Sequence, residues 1–235
     1  MLKNDLMVKN PLRGLVNDTN TLLAKGEFGA ILARAGVGKT AFIVQIALSG
    51  LLQHKNVLHV SLDEPVQKVS LWYEEVFRRF AESYGPTPVQ HLWETILTHR
   101  FIMTFQVEDF SVSKLAERVS DLTEQAIFFP QIILIDGLSF SEPPTEILNA
   151  LRPLARQWGV GVWFTARIHR PEATDAVGSP KPPDAIIDLF ETAIQLDPDD
   201  NRVHVRILKG PRAKTEHAGL LLDPSTMLIM DKSVR

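Results

Sequence analysis

Cysteine is missing from all 235 residues of this chain. That excludes disulfides, thiolate metal sites and a cysteine nucleophile, and it suits a reducing, cytoplasmic setting. A surplus of positive charge is missing too. Against 28 Asp and Glu stand 25 Lys and Arg, a net charge of −3, so no global basic signal for nucleic acid is present. No run is long and apolar enough to span a bilayer: the longest, AFIVQIALSGLL (41–52), includes Gln45 and Ser49 and has the length of a buried helix. The start, MLKNDLMVKNPLRGL, carries charges at 3, 5 and 9 and lacks the uninterrupted apolar segment of a signal peptide. There is no evident repeat, no low-complexity stretch and no G-x-S-x-G elbow. The seven histidines are scattered, without an i,i+4 pair beside carboxylates, and predict no metal cage.

What is present is an alternation of short apolar runs and amphipathic stretches. It predicts a mostly parallel sheet covered by helices, in one domain. FGAILA (28–33), NVLHVSL (56–62), RFIMTF (100–105), QIILID (131–136) and VGVWFTA (160–166) read as strands. Helices are expected over 39–53, 66–84, 113–125 and from Pro143 to Trp158, the last kinked or split at Pro153 and stopped at Gly159. YGPTP reads as a helix breaker. Arg167 to Asp184 holds four prolines and reads as a long functional loop. After it, TAIQL and RVHVRILKG, then GLLLDPSTMLIM, read as two antiparallel hairpins that extend the sheet.

The stretch ARAGVGKTAF (33–42) follows the first strand. A G-x-x-x-x-G-K-[ST] loop opening a helix points main-chain N–H groups at phosphates. Its Lys reaches the β- and γ-phosphates, and its hydroxyl binds magnesium. Here the frame runs Ala33, Arg34, Ala35, Gly36, Val37, Gly38, Lys39, Thr40, then Ala41, with Ala33 where the pattern has glycine. The plainer alternative is a strand–helix turn that happens to contain Lys-Thr. Asp136, closing an apolar strand, is placed to hold the metal through water; the alternative is a turn cap. Asp63 and Glu64 end the strand after the cradle helix. Glu64 is the expected base that orients water and Asp63 the second candidate, or either caps the helix before Pro65.

The order of these parts resembles the RecA-like P-loop ATPase superfamily, in its DnaB-type helicase and KaiC-like branches. The likeness covers about residues 12 to 230, leaving 1–11 as an N-terminal arm on a single domain, 1–235. ARAGVGKTAF is similar to the DnaB-type cradle, SLDEP to the adjacent acids of the KaiC-like branch, and ILIDGLS to its Asp-Ser-Leu form. The resemblance implies Mg-ATP as ligand and a ring or filament of identical chains. It also implies a γ-phosphate-sensing residue at Arg167, where many relatives carry Gln or His. Lys209 and Arg212 in ILKGPRAKTEH are implied to reach a neighbouring subunit's nucleotide, at a spacing one longer than usual; the plain alternative is a solvated hairpin end.

The expected function is a slow, assembly-dependent ATPase that signals to a protein partner. It would stand alone, without the N-terminal domain and linker helix of replicative helicases. The alternative is a DNA-handling, helicase-like motor or recombination accessory ATPase. Between Ile168 and Pro183 two basic residues, Arg170 and Lys181, are offset by Glu172 and Asp175, and GLSFSEPP carries no positive charge, so DNA binding gains no support there. Trp72, Tyr73, Phe77 and Phe80 beside Arg78 and Arg79 could stack bases, but their helical spacing fits core packing. Two further readings are a non-hydrolysing nucleotide scaffold and, more distantly, a small-molecule kinase.

Overall fold

A computed structural model of the chain describes residues 2–12, 23–82, 84–139, 145–167, 173–174, 180–199, 202–210 and 219–231. Helix α1 (Leu2–Lys9) is followed by strand β1 (Phe28–Ala33), α2 (Lys39–Leu51), β2 (Val57–Ser61), α3 (Val66–Phe80), α4 (Pro86–Leu97) and β3 (Arg100–Thr104). Next come α5 (Val112–Glu124), β4 (Ile132–Ser139), α6 (Thr145–Trp158) and β5 (Gly161–Arg167). The short pair β6 (Ala173–Thr174) and β7 (Pro180–Lys181) precedes α7 (Asp184–Ile187). The described chain ends with β8 (Thr192–Asp199), β9 (Arg202–Lys209), β10 (Leu220–Leu222) and β11 (Ile229–Asp231).

One nine-stranded sheet runs β11-β10-β9-β8-β1-β5-β4-β2-β3. Strands β8, β1, β5, β4, β2 and β3 pair in parallel, and β9, β10 and β11 add on antiparallel. Side chains of β1 alternate between two cores. Ile31 and Ala33 join α2, α3, α4 and Trp163; Phe28, Ala30 and Leu32 join the layer under α5 and α6. Gly29 pairs with Trp163, and a Cβ at Gly29 would lie 2.6 Å from the indole, so the bare backbone is what admits the ring. α2 is apolar nearly all round because it is enclosed, between the sheet, α3 and the C-terminal strands.

Three expectations are corrected. YGPTP ends α3 but also starts a helix. Gly85 is the N-cap of α4, Pro86 fits its first turn, and Leu92 and Ile96 are buried beneath it, with Trp93 stacked on Phe77. Pro153 does not split α6: it lies inside a continuous helix, on the exposed side, and the carbonyl it cannot serve belongs to exposed Asn149. The arm at 1–11 contains a helix whose Leu6 is buried, followed by buried Leu12. Of the long loop after Arg167, residues 168–172 and 175–179 lie outside the described residues, as does Pro143–Pro144.

Candidate functional site

Four parallel strands deliver their C-terminal ends to one place, the side of an open α/β sheet where ligands bind. β1 feeds the loop 34–38, β2 leads to Asp63 and Glu64, β4 carries Asp136, and β5 carries Thr165 and Arg167. Their ends and the start of α2 line a cleft of about 360 Å³, closed on its flanks by Trp72 and Met227. A second cavity of about 360 Å³, near Lys55, Trp158 and Trp163, holds none of these groups.

The loop's shape follows from its glycines. Gly36 (φ +76°) and Gly38 (φ +104°) are both left-handed, which makes the turn tight enough to start α2 with no side-chain cap. The first intrahelical bond runs from Phe42 N to Gly38 O at 3.0 Å, so the N–H groups of Lys39, Thr40 and Ala41 stand before it at the positive helix end. Val37 packs against the core, and Ala33 and Arg34 take part through their carbonyls: Lys39 Nζ donates to Arg34 O at 3.0 Å and to Ala33 O at 3.4 Å. Burial lowers the Lys39 pKa; Asp136 opposes that and Arg167 adds to it. An anion at the helix end would favour the ammonium.

Asp136 is the most enclosed acid of the site, 6% exposed. Thr165 Oγ1 donates a short hydrogen bond to its Oδ1, and Thr40 Oγ1 donates to Oδ2 at 2.9 Å. Burial raises the Asp136 pKa, outweighing those bonds and the pull of Lys39. Immediately beyond, β4 shifts register at Gly137 (φ +98°), whose N–H donates to Thr165 Oγ1 at 2.9 Å. A Cβ there would sit 2.7 Å from Asp63 Oδ2, so the glycine is what lets Asp63 come in beside Asp136. Burial first, then Asp136 and Glu64, raise the Asp63 pKa. Glu64 follows a turn in which Ser61 Oγ donates to its carbonyl at 2.8 Å and accepts from its N–H at 3.1 Å; Glu64 Oε1 is held by Lys68 Nζ at 2.6 Å. Neither acid caps α3, whose N-cap is Pro65 with no side-chain bond.

The structure therefore brings Lys39, Thr40, Asp63, Glu64, Asp136 and Arg167 into one cleft. Lys209 stands apart at the end of β9, where its Nζ donates to Asp188 O at 3.2 Å. Arg212 lies outside the described residues. Sequence reasoning missed Thr165, Met227 and His59. Thr165 and His59 each put a polar side chain into an otherwise mostly apolar buried strand, which was the available signal. Met227 had none, since only the fold returns it to α2. There the Gln45 amide donates to Met227 O at 2.9 Å and accepts from Ile229 N at 2.8 Å.

Chemically, the arrangement joins a cationic and main-chain donor cradle to a hydroxyl–carboxylate pair, with two further carboxylates across the cleft. The Thr40 hydroxyl and Asp136 are a sparse oxygen set. They suit magnesium, which keeps waters and shares phosphate oxygens rather than needing a full protein cage.

No protein-family model matches the sequence, and no curated protein matches it. Among solved structures the chain is similar to the ATPase domain of a DnaB-like helicase, with a TM-score of 0.62 and 16% identity over 89% of this chain and 86% of that one. The likeness is one of fold: a RecA-like α/β sheet flanked by helices and extended by antiparallel strands.

Proposed function

We propose that this chain is a Mg-ATP-binding ATPase of the RecA-like superfamily, in the DnaB-type and KaiC-like branches, built as a single domain over 1–235 with 1–11 as an arm. It hydrolyses ATP slowly in the cytoplasm, when assembled with copies of itself, and signals to a protein partner. The observation that carries the reading is the meeting of Lys39, Thr40 and Asp136 at the glycine-shaped start of α2.

The residues have distinct parts. Gly36 and Gly38 shape the loop so that the N–H groups of Lys39, Thr40 and Ala41 receive phosphate oxygens. Lys39 turns from the Arg34 carbonyl to the phosphates. Thr40 holds magnesium directly and Asp136 holds it through water. The metal supplies charge neutralisation at the phosphate oxygens. Glu64, steadied by Lys68, orients the attacking water, with Asp63 as the alternative proton acceptor. Arg167 senses the γ-phosphate from the end of β5. Lys209 and Arg212 act on a neighbouring chain's nucleotide.

Titration of the purified chain with a fluorescent ATP analogue tests this. Lys39→Ala is expected to abolish binding while leaving the circular dichroism spectrum unchanged; unaltered affinity in that variant refutes the reading.

A further inference from the structure

β2 turns two polar side chains, His59 and Ser61, towards the α2–α3 layer, and of these His59 is fully enclosed. Its neighbours Leu58 and Val60 point to the opposite core. β2 and β4 pair with Ser61 opposite Asp136 and His59 opposite Leu134, which sets His59 behind Asp136 on the same face of the sheet. Two contacts define its ring. Nδ1 lies 2.9 Å from the Tyr73 hydroxyl, itself fully buried on α3. Nε2 is buried with no hydrogen-bond partner among the described residues and faces Asp136 Oδ2 at 3.9 Å. Behind Tyr73, the Arg100 guanidinium sits over the phenol ring at 4.7 Å and closes that side with positive charge.

A neutral imidazole has one N–H and one lone pair. With the proton on Nδ1, the Nε2 lone pair would face a carboxylate, and the Tyr73 hydrogen would have no acceptor among the described residues. With the proton on Nε2, Tyr73 donates to Nδ1 and the N–H faces the carboxylate. The second arrangement uses every donor. At 3.9 Å the N–H···O contact is about 1 Å too long for a hydrogen bond. A small turn of the Asp136 carboxylate or of the ring closes it. Asp136 is otherwise served only at its front, by Thr165 and Thr40, and burial works against its charge.

We propose that His59 is a positioning residue for Asp136. Tyr73 fixes its imidazole as the Nε2–H tautomer, and that N–H closes on Oδ2 from behind to hold the carboxylate ionised and aimed at the metal site. The inference rests on the metal role given to Thr40 and Asp136 above. Ligand-supporting hydrogen bonds of this kind change metal affinity or activity by about 10–100-fold when removed, and support of a carboxylate that acts through water belongs at the lower end.

Two measurements on the full chain test it. The first needs no nucleotide: long-range ¹H–¹⁵N spectra of the histidine rings should show His59 protonated on Nε2 and bare on Nδ1, with Tyr73→Phe losing that bias. A proton on Nδ1 in the wild-type chain overturns the proposal. The second is the magnesium half-saturation for binding of a fluorescent ATP analogue. His59→Leu should raise it about tenfold, Tyr73→Phe should raise it less, and His59→Gln, which returns an amide N–H at similar reach, should restore it towards wild type. Thr40→Val is the control. If Thr40→Val raises the half-saturation and neither His59→Leu nor Tyr73→Phe does, the His59 role fails and the metal site stands. If Thr40→Val changes nothing, the metal site fails and the His59 role falls with it. Should His59→Leu not fold, the single-atom change Tyr73→Phe and the wild-type tautomer decide the matter.

Discussion

His59 also shows what one buried ring does to acid stability. Burial and then Arg100 push its pKa down to about 3, from an unfolded value near 6.5. A depressed histidine pKa means that the unfolded chain binds the proton first. Stability is therefore fully present above about pH 6.5, and falls as pH drops towards 3 at up to about 1.4 kcal/mol per pH unit. Asp63 works in the opposite sense, because its raised pKa favours the folded state at lower pH. Only a paired comparison isolates the histidine. Urea unfolding at about pH 5 and pH 7 is expected to cost wild type about 2 kcal/mol more, on acidification, than it costs His59→Gln. Equal losses in the two proteins would mean that the ring is hydrated or paired in the folded state.

Among elements, the joint between α2 and the C-terminal strands is the least obvious from sequence and the most exposed to a single change. Gln45 is fully buried in a helix that is otherwise almost wholly apolar, and its amide makes both cross-links to the β10–β11 turn. Gln45→Leu keeps the volume but strands the Ile229 N–H and the Met227 carbonyl. A loss of about 2–4 kcal/mol is expected, at about 1–3 per stranded group. Amide exchange should accelerate at Ile229 more than in the central strands. The elements themselves were largely legible. β1, α2 and β4 stood out because buried parallel strands and an enclosed helix are continuous apolar runs, and a glycine-rich turn or an acid marks each end. α4 was not legible, because Pro86 and Pro88 read as breakers when no tertiary partner is in view, and Trp93 has its partner Phe77 on another helix. Lys39, Thr40, Asp63, Glu64 and Asp136 could be named because each sits at a strand end or helix start. Thr165 could not be tied to Asp136, nor Met227 to Gln45, because those pairs are 29 and 182 residues apart and only the sheet order joins them.

For the whole molecule, the question is what completes the cleft. No described helix is long and apolar enough to cross a membrane. Within the chain Lys209 is occupied by Asp188, away from the cleft lining. A role for it at a neighbour's nucleotide needs that contact to exchange when chains assemble. Turnover per chain is accordingly expected to rise steeply with protein concentration in Mg-ATP, alongside a gain in mass by light scattering. The stimulation is expected to be on the order of 10³-fold if a cationic group then reaches the transferring phosphoryl. Turnover strictly proportional to concentration, from a species of constant mass, would remove the assembly requirement.

The clasp on α2 carries a consequence for biosynthesis. Gln45 and Ile229 are 184 residues apart, so the segment that bears the phosphate loop leaves the ribosome long before the strand that backs it. At about 5–20 residues per second the interval is about 10–40 s. Throughout that time the buried amide has no mate and Gly38 lacks the Leu222 side chain that packs on it. A nascent chain arrested before residue 220 therefore carries the loop's sequence without its finished wall, and acquires that wall only in the closing moments of translation.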